Sequence, residues 1–339
     1  MSGTHHDTQH EIDVAAAARG EHAADGAWRD RLRDVPWVWS VAGAIAVWLV
    51  TAGVFGFSIA GNVVDTALVF AIFMVFVGLG QMLVITAGPG NIDLSTPSAI
   101  ALSGVLGVQL MKGDDALIIA GVGVALAAGI GIGLVNYLLI RLLRIPPIIA
   151  TLSSSFIVQS IAITQSRDMP PPPAALQGFA NGRLLGLPHV AWLALLLSVA
   201  LALLLHRTVF GRALSALGQN GRAAWLAGVK VERVRCVTYV LSAVIAGFTG
   251  LLLAAVSGGA ALDMGVEYML ISVAVVVIGG TLVTGGKASV AGVWGASMFL
   301  FLTNAILNAL GAGAGVRSVA YGLLIIAVVV AGGRPGRQA

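Results

Sequence analysis

What most constrains this chain is a succession of apolar runs, at about 36–57, 65–87, 94–111, 115–140, 147–166, 190–206, 236–256, 268–284, 289–311 and 318–333, separated by short polar connections. Most approach the roughly 20 residues that a helix needs to cross the hydrocarbon of a bilayer. Backbone polar groups cannot stay unpaired there, so the runs read as helices. The fold class is all-α: a polytopic helical membrane protein with about ten transmembrane helices. Composition agrees, because 58% of the 339 residues are hydrophobic, 10% are charged and the mean hydropathy is +0.95. A water-soluble domain of this length has no use for so much apolar surface.

Lysine and arginine orient the runs. Ten spans with an inside start leave both termini cytosolic and put 15 of the 19 basic residues inside, among them Arg29, Arg31, Arg33, Arg141, Arg144, Arg207, Arg222 and Lys287. Only Lys112, Arg167, Arg183 and Arg317 fall outside, the asymmetry expected of membrane insertion. The pI near 9.6 is therefore a topology signal, and with no clustering of basic and aromatic residues no nucleic-acid partner is expected. Residues 1–35 are polar and read as a disordered cytosolic tail, 36–333 as the transmembrane domain and 334–339 as a second cytosolic tail. His5 and His6 have no further ligand at fixed spacing, and Cys236 is the one cysteine, so neither a metal site nor an intramolecular disulfide is expected.

One interruption differs from the others. Residues 85–104 read ITAGPGNIDLSTPSAIALSG, and Gly88, Pro89 and Gly90 cannot continue a helix. Thr96 then reads as an N-cap with Pro97 at the first helical position, so residues 88–96 break one apolar element and start another. Asp93 lies in the gap. A carboxylate at membrane depth is costly and marks a functional position, whereas at the membrane surface it would be a local cap. The other polar side chains within runs are uncharged, and they include Gln81, Asn136, Thr151, Gln159, Asn304 and Asn308. The candidate translocation path is Gln81, Asn91, Asp93, Ser95, Ser98, Asn304 and Asn308. Such a set fits a neutral polyhydroxyl solute better than an ion.

The longest inner loop, 207–235, divides into GRALSALGQN, a short helix RAAWLA and a turn at Gly228. A plain surface loop has no need of a small apolar helix, so this one reads as a docking element that shows Ala223, Ala224 and Leu226 to a cytosolic partner. The run 115–140 carries Gly121, Ala125, Gly129 and Gly133 at every fourth position, a stripe along which another helix can approach closely. GGTLVTGGKAS, residues 279–289, fails the phosphate-loop pattern, since Thr281 stands at the first glycine and Ala288 at the serine or threonine. No cofactor is expected on this chain, and ATP chemistry would belong to a partner.

Three separated stretches resemble the permease subunits of bacterial monosaccharide ABC importers, the ribose and xylose group of the branched-chain amino acid and sugar permease superfamily. IDLSTPSAIALSG, residues 92–104, is similar to that family's GGIDLS-x-x-S-x-x-ALSG. Residues 216–255 are similar to its coupling loop and following span, and GGKASVAGVWGA, residues 285–296, to its G-G-x-G-S-x-x-G-x-x-x-G-A. The resemblance covers about 36–333. It implies polar signature positions at Asp93, Ser95 and Ser98, and coupling positions at Gly218, Asn220, Arg222, Ala223, Ala224 and Gly228. It further implies a location in the bacterial cytoplasmic membrane and a second permease copy, in a homodimer or heterodimer. The implied partners are a cytosolic ABC ATPase, a periplasmic or lipid-anchored solute-binding protein and a small neutral solute of the sugar class. The chain itself would be no enzyme. It departs from the family pattern at Gly88-Pro89-Gly90-Asn91 and at Ala288, both near the presumed path.

Nucleoside and branched-chain amino acid ABC permeases are similar enough to stand as alternatives. The alternative of another class is an ion-coupled secondary transporter, for which Asp93 is the one available buried charge. An intramembrane enzyme is excluded because no span centre holds a histidine, a cysteine or paired acids.

Overall fold

The computed structural model describes residues 37–313 and, beyond them, 315–317, 319, 320, 322, 323 and 326. The expected N-terminal and C-terminal tails, and most of the run 318–333, lie outside the described residues. Seven of the described helices are long and apolar enough to cross a bilayer. They are α1 (Trp37–Phe55), α2 (Phe57–Thr86), α4 (Ile118–Leu142, entered through a 3₁₀ turn at Asp115–Leu117), α5 (Pro147–Gln165), α7 (His189–Arg207), α10 (Val231–Ser257) and α12 (Val290–Ala309). Two apolar helices are shorter, α3 (Thr96–Met111) and α11 (Tyr268–Ile278). Short elements sit in the connections: α6 (Ala174–Asn181) and a two-residue hairpin of β1 (Arg183–Leu184) on β2 (Leu187–Pro188) in one, α8 (Val209–Gln219) and α9 (Gly221–Leu226) in the other.

Burial orders the bundle. The C-terminal half of α2 is enclosed on every side, with Ile72, Phe73, Val75 and Phe76 at 0% exposure, and the helix as a whole packs on α1, α7, α10, α11 and α12. Its contact with α10 includes an edge-to-face pair of Phe76 and Phe248 at 6.1 Å between centroids. α3 fits among α4, α5 and α10. By contrast α1 leaves Trp39, Ile45, Leu49, Val50 and Val54 exposed, an apolar outer face suited to lipid.

The small-residue stripe is a helix seam. A side chain at Gly129 would strike the Ala243 carbonyl oxygen at 2.7 Å and Val244 Cα at 2.8 Å, and one at Gly133 the backbone of Tyr239 and Val240. α4 therefore lies backbone to backbone on α10, because nothing larger than hydrogen projects between them.

Two expectations about helix ends are corrected. Thr96 is inside α3 rather than its cap; Ser95 holds the cap position, with αR backbone and no side-chain cap bond. The run 268–284 does not stay helical to its end, since α11 stops at Ile278. Gly280, Gly285 and Gly286 all have φ near +80 to +90°, a region that glycine enters without the steric cost of a Cβ. Eleven residues rise about 16 Å, so α11 alone does not span about 30 Å of hydrocarbon.

The chain also repeats itself. GPGNIDLSTPSAI, residues 88–100, and GGAALDMGVEYML, residues 258–270, match at the leading glycine and in I/L-D-L/M, and each lies between a long buried helix and a short one. The first break follows α2 and the second follows α10.

Candidate functional site

The first break, 87–95, is a closed polar knot. Gly88 and Gly90 turn the chain at φ +131° and +75°, and the backbone from Asn91 to Leu94 then runs without helical bonds, so its polar groups need partners from elsewhere. Four helices supply them. From α2, Gln81 faces Asp93 with its amide oriented to donate Nε2–H to the Asp93 carbonyl and to accept the Asp93 N–H, each at 3.2 Å. From α5, the Thr151 hydroxyl accepts the Leu94 N–H at 3.0 Å and lies 2.9 Å from the Pro147 carbonyl and 3.2 Å from that of Ile92. From α10, Tyr239 donates its hydroxyl to Asn91 Oδ1 at 3.0 Å, while Asn91 Nδ2 donates to the Gly88 carbonyl at 3.0 Å. From α4, Asn136 Nδ2 donates to Ser95 Oγ at 2.7 Å.

The Asp93 carboxylate closes the knot from inside. Its Oδ1 accepts the Ser95 N–H at 2.9 Å and the Ser95 hydroxyl at 2.6 Å, and its Oδ2 accepts the Ser242 hydroxyl at 3.2 Å. Among the described residues no lysine or arginine pairs with it. Hydroxyls and one amide solvate the carboxylate in place of a countercharge. Ser98 donates to the Ser95 carbonyl at 2.9 Å, a bond that tightens the first turn of α3.

The candidate path residues do not form one lining. Gln81, Asp93, Ser95 and Ser98 are all at or below 1% exposure and face protein, not an open channel. Asn304 and Asn308 lie elsewhere, on a cavity of about 340 Å³ with Val63, Thr66 and Arg317, where Arg317 Nη1 donates to Asn304 Oδ1 at 3.4 Å. Sequence reasoning missed Tyr239 and Ser242, which appear within an apolar helix with no spacing that marks them. The repeat would have drawn attention to the second break, where Gln159 of α5 donates to the Leu262 carbonyl at 3.0 Å and Asp263 is exposed. α5 thus holds the backbone of both breaks, through Thr151 and Gln159.

The coupling positions meet the knot through glycine. Gly218 lies in the last turn of α8, and a Cβ there would collide with the Thr86 carbonyl and the Gly286 amide, which are themselves bonded at 2.9 Å. A Cβ at Gly285 would meet the backbone of Gly88 and, at 3.0 Å, the Gly218 carbonyl. Three chain segments therefore touch backbone to backbone below the knot: the end of α2, the end of α8 and the 279–289 turn. Two residues on, Asn220 caps α9 by accepting the N–H groups of Arg222 and Ala223 at 3.1 and 3.0 Å. Gly228, at φ +83°, turns the chain toward α10. The exposed face of α9 carries Arg222, Ala223, Trp225 at 66% and Leu226 at 71%. Ala224 is at 4% and faces inward, because α9 lies on the bundle by that side; the expectation that it is displayed is corrected.

Comparison with known proteins follows the same lines. Residues 62–329 match the family model described as branched-chain amino acid transport system, permease component. The chain is 35% identical over 208 residues to the L-arabinose ABC transporter permease protein of Azospirillum brasilense, covering 60% of each protein. It is 31% identical over 255 residues to the ribose import permease protein of Escherichia coli K12, covering 74% of this chain and 77% of that one. Over 263 residues it is 30% identical to the autoinducer 2 import system permease protein of E. coli, covering 77% and 76%. It thus spans three fifths of the first relative and about three quarters of the others. No solved structure matches the chain.

Proposed function

The chain belongs to the permease-component family of branched-chain amino acid transport systems, and from that premise we propose that it forms the membrane path of an ATP-driven importer for a neutral, monosaccharide-like solute. Two of the relatives reported above are named for monosaccharides, arabinose and ribose, which supports that solute class. In this reading the chain sits in the bacterial cytoplasmic membrane and works with an ABC ATPase, a solute-binding protein and a second permease copy. ATP is bound and hydrolysed by the ATPase.

One observation carries the coupling. Gly218 stands two residues before the cap of α9 and touches both Thr86, at the end of α2, and Gly286. A helix pushed or pulled at its exposed Trp225 and Leu226 thus has a direct backbone route to the knot and to the turn before α12. The buried polar set fits a drive from outside the chain: among the described residues no second acid, histidine, lysine or arginine bonds the Asp93 carboxylate to relay a proton.

The test is uptake of labelled arabinose and ribose into proteoliposomes that hold the permease with its ATPase and binding protein, ATP and an ionophore being varied separately. Uptake should require ATP and persist with the ionophore. Uptake that persists without ATP and collapses with the ionophore would overturn the proposal in favour of an ion-coupled carrier.

A further inference from the structure

Beside the docking helix, at the basic end of the bundle, a cavity of about 370 Å³ opens between the end of α4, the start of α5 and the first turns of α10. Its charge does not balance. Arg141, Arg144 and Arg235 line it together with a single acid, Glu232. Both oxygens of that acid are already engaged: Oε2 lies 3.4 Å from Arg141 Nε and accepts the Tyr137 hydroxyl at 3.2 Å, and Oε1 lies 3.5 Å from Arg235 Nη1. Arg144 has no ion pair among the described residues and holds a left-handed backbone at φ +54°, uncommon for a residue with a side chain. The Nε of Arg235 is buried and has no hydrogen-bond partner. Two positive charges in excess, beside an unpaired donor, call for an anion.

The surroundings say which anion. On the membrane side of these arginines along each helix, Leu138 of α4, Ile149 of α5 and Val237 of α10 are apolar and each more than two fifths exposed. A free phosphate has no use for such a surface, whereas a phospholipid places its phosphate at the level of the arginines and its acyl chains along these side chains. We propose that this cavity binds the headgroup of an anionic phospholipid of the inner leaflet, such as phosphatidylglycerol. The proposal rests on the membrane-spanning reading and on the basic end being cytosolic. The site is not isolated from the machinery, since Tyr239 forms part of its wall and donates its hydroxyl to Asn91 in the knot. Lipid in the cavity fixes the wall from which Tyr239 holds the broken segment.

The experiment uses the full-length permease in nanodiscs of phosphatidylcholine with phosphatidylglycerol, transferred to detergent for native mass spectrometry. The wild-type chain should retain one phosphatidylglycerol in preference to phosphatidylcholine, and an excess of inorganic phosphate should not displace it. Arg144→Gln with Arg235→Gln should lower retention at least tenfold, and Arg144→Lys with Arg235→Lys should restore most of it. Melting temperature in pure phosphatidylcholine discs, compared across the variants, separates a lost site from a lost fold; should the glutamine pair fail to fold, Arg144→Gln alone supplies the comparison. Equal retention by wild type and a folded glutamine variant, no preference over phosphatidylcholine, or displacement by phosphate would each overturn the proposal. So would loss of the lipid when the ATPase docks, which would make the cavity part of the protein interface. Retention is read without transport, so failure here leaves the importer reading standing and is distinguishable from its failure.

Discussion

At the scale of single residues, the knot depends on which atoms accept. Asp93→Asn keeps one oxygen for the Ser95 N–H and hydroxyl and turns an amide toward Ser242, whose hydroxyl can rotate to accept it. The expected loss is about 1 kcal/mol, with slower uptake that still depends on ATP. Asp93→Ala leaves the Ser95 N–H and two hydroxyls without an acceptor in a site closed to water. Its loss should be larger, about 1–3 kcal/mol for the buried donor alone. Thermal unfolding of the purified permease, run beside ATP-dependent and ionophore-sensitive uptake, checks both variants. An Asp93→Asn protein whose uptake becomes indifferent to an ion gradient that drives the wild type would assign the carboxylate to coupling instead of structure. Tyr239→Phe is a milder probe from the other side of the knot. It removes the donor to Asn91 Oδ1 and should cost about 1 kcal/mol without abolishing uptake.

At the scale of elements, two contacts separate folding from coupling. The α4–α10 seam leaves no room at Gly129, where a Cβ already falls 2.7 Å from a backbone oxygen. Gly129→Leu should therefore sharply reduce the monodisperse fraction in size-exclusion chromatography, and a normal yield would show that the helices can separate at little cost. The docking side should behave differently. Ala223 is exposed on α9, so Ala223→Glu should leave the permease folded but weaken its complex with the ATPase by placing an unpaired charge in that interface. Gly218→Ala should keep the ATPase bound and yet fail to transport, because the added methyl wedges the Thr86–Gly286 contact apart. Co-purification and uptake, measured on both variants, distinguish the two. If Gly218→Ala transports normally, the glycine contact does not transmit motion.

At the scale of the whole molecule, orientation is the open quantity that charge addresses. Trp225 lies at the end of the bundle with Arg141, Arg222 and Lys287, and Leu185, at 85% exposure, lies in the hairpin connection of the opposite end. With Cys236 replaced by serine, Leu185→Cys should react with a membrane-impermeant maleimide in intact cells. Trp225→Cys should react only after the membrane is opened. The reverse pattern would invert the topology and, with it, the docking role of α9.

Much of this could be read from residue order alone because its causes are local or additive. Apolar runs of spanning length dictate helices, glycine and proline dictate where α2 ends, Asn220 and Gly228 delimit α9, and the stripe in α4 declares a close contact before its partner is known. The basic residues sort the loops because each acts on insertion nearly independently. What the tertiary structure decided were matters of who meets whom. That Ser242 and Tyr239, some 150 positions away, donate to Asp93 and Asn91 follows from the register in which α10 packs, which no local spacing encodes. That Ala224 faces inward, and that Asn304 and Asn308 lie far from the knot, depends on how whole helices rotate against one another. Those rotations are set by side chains filling space on several neighbours at once, so only the packed molecule could place a carboxylate among hydroxyls and bring the last turn of α8, just before the docking helix, against the knot through Gly88, Gly218 and Gly285.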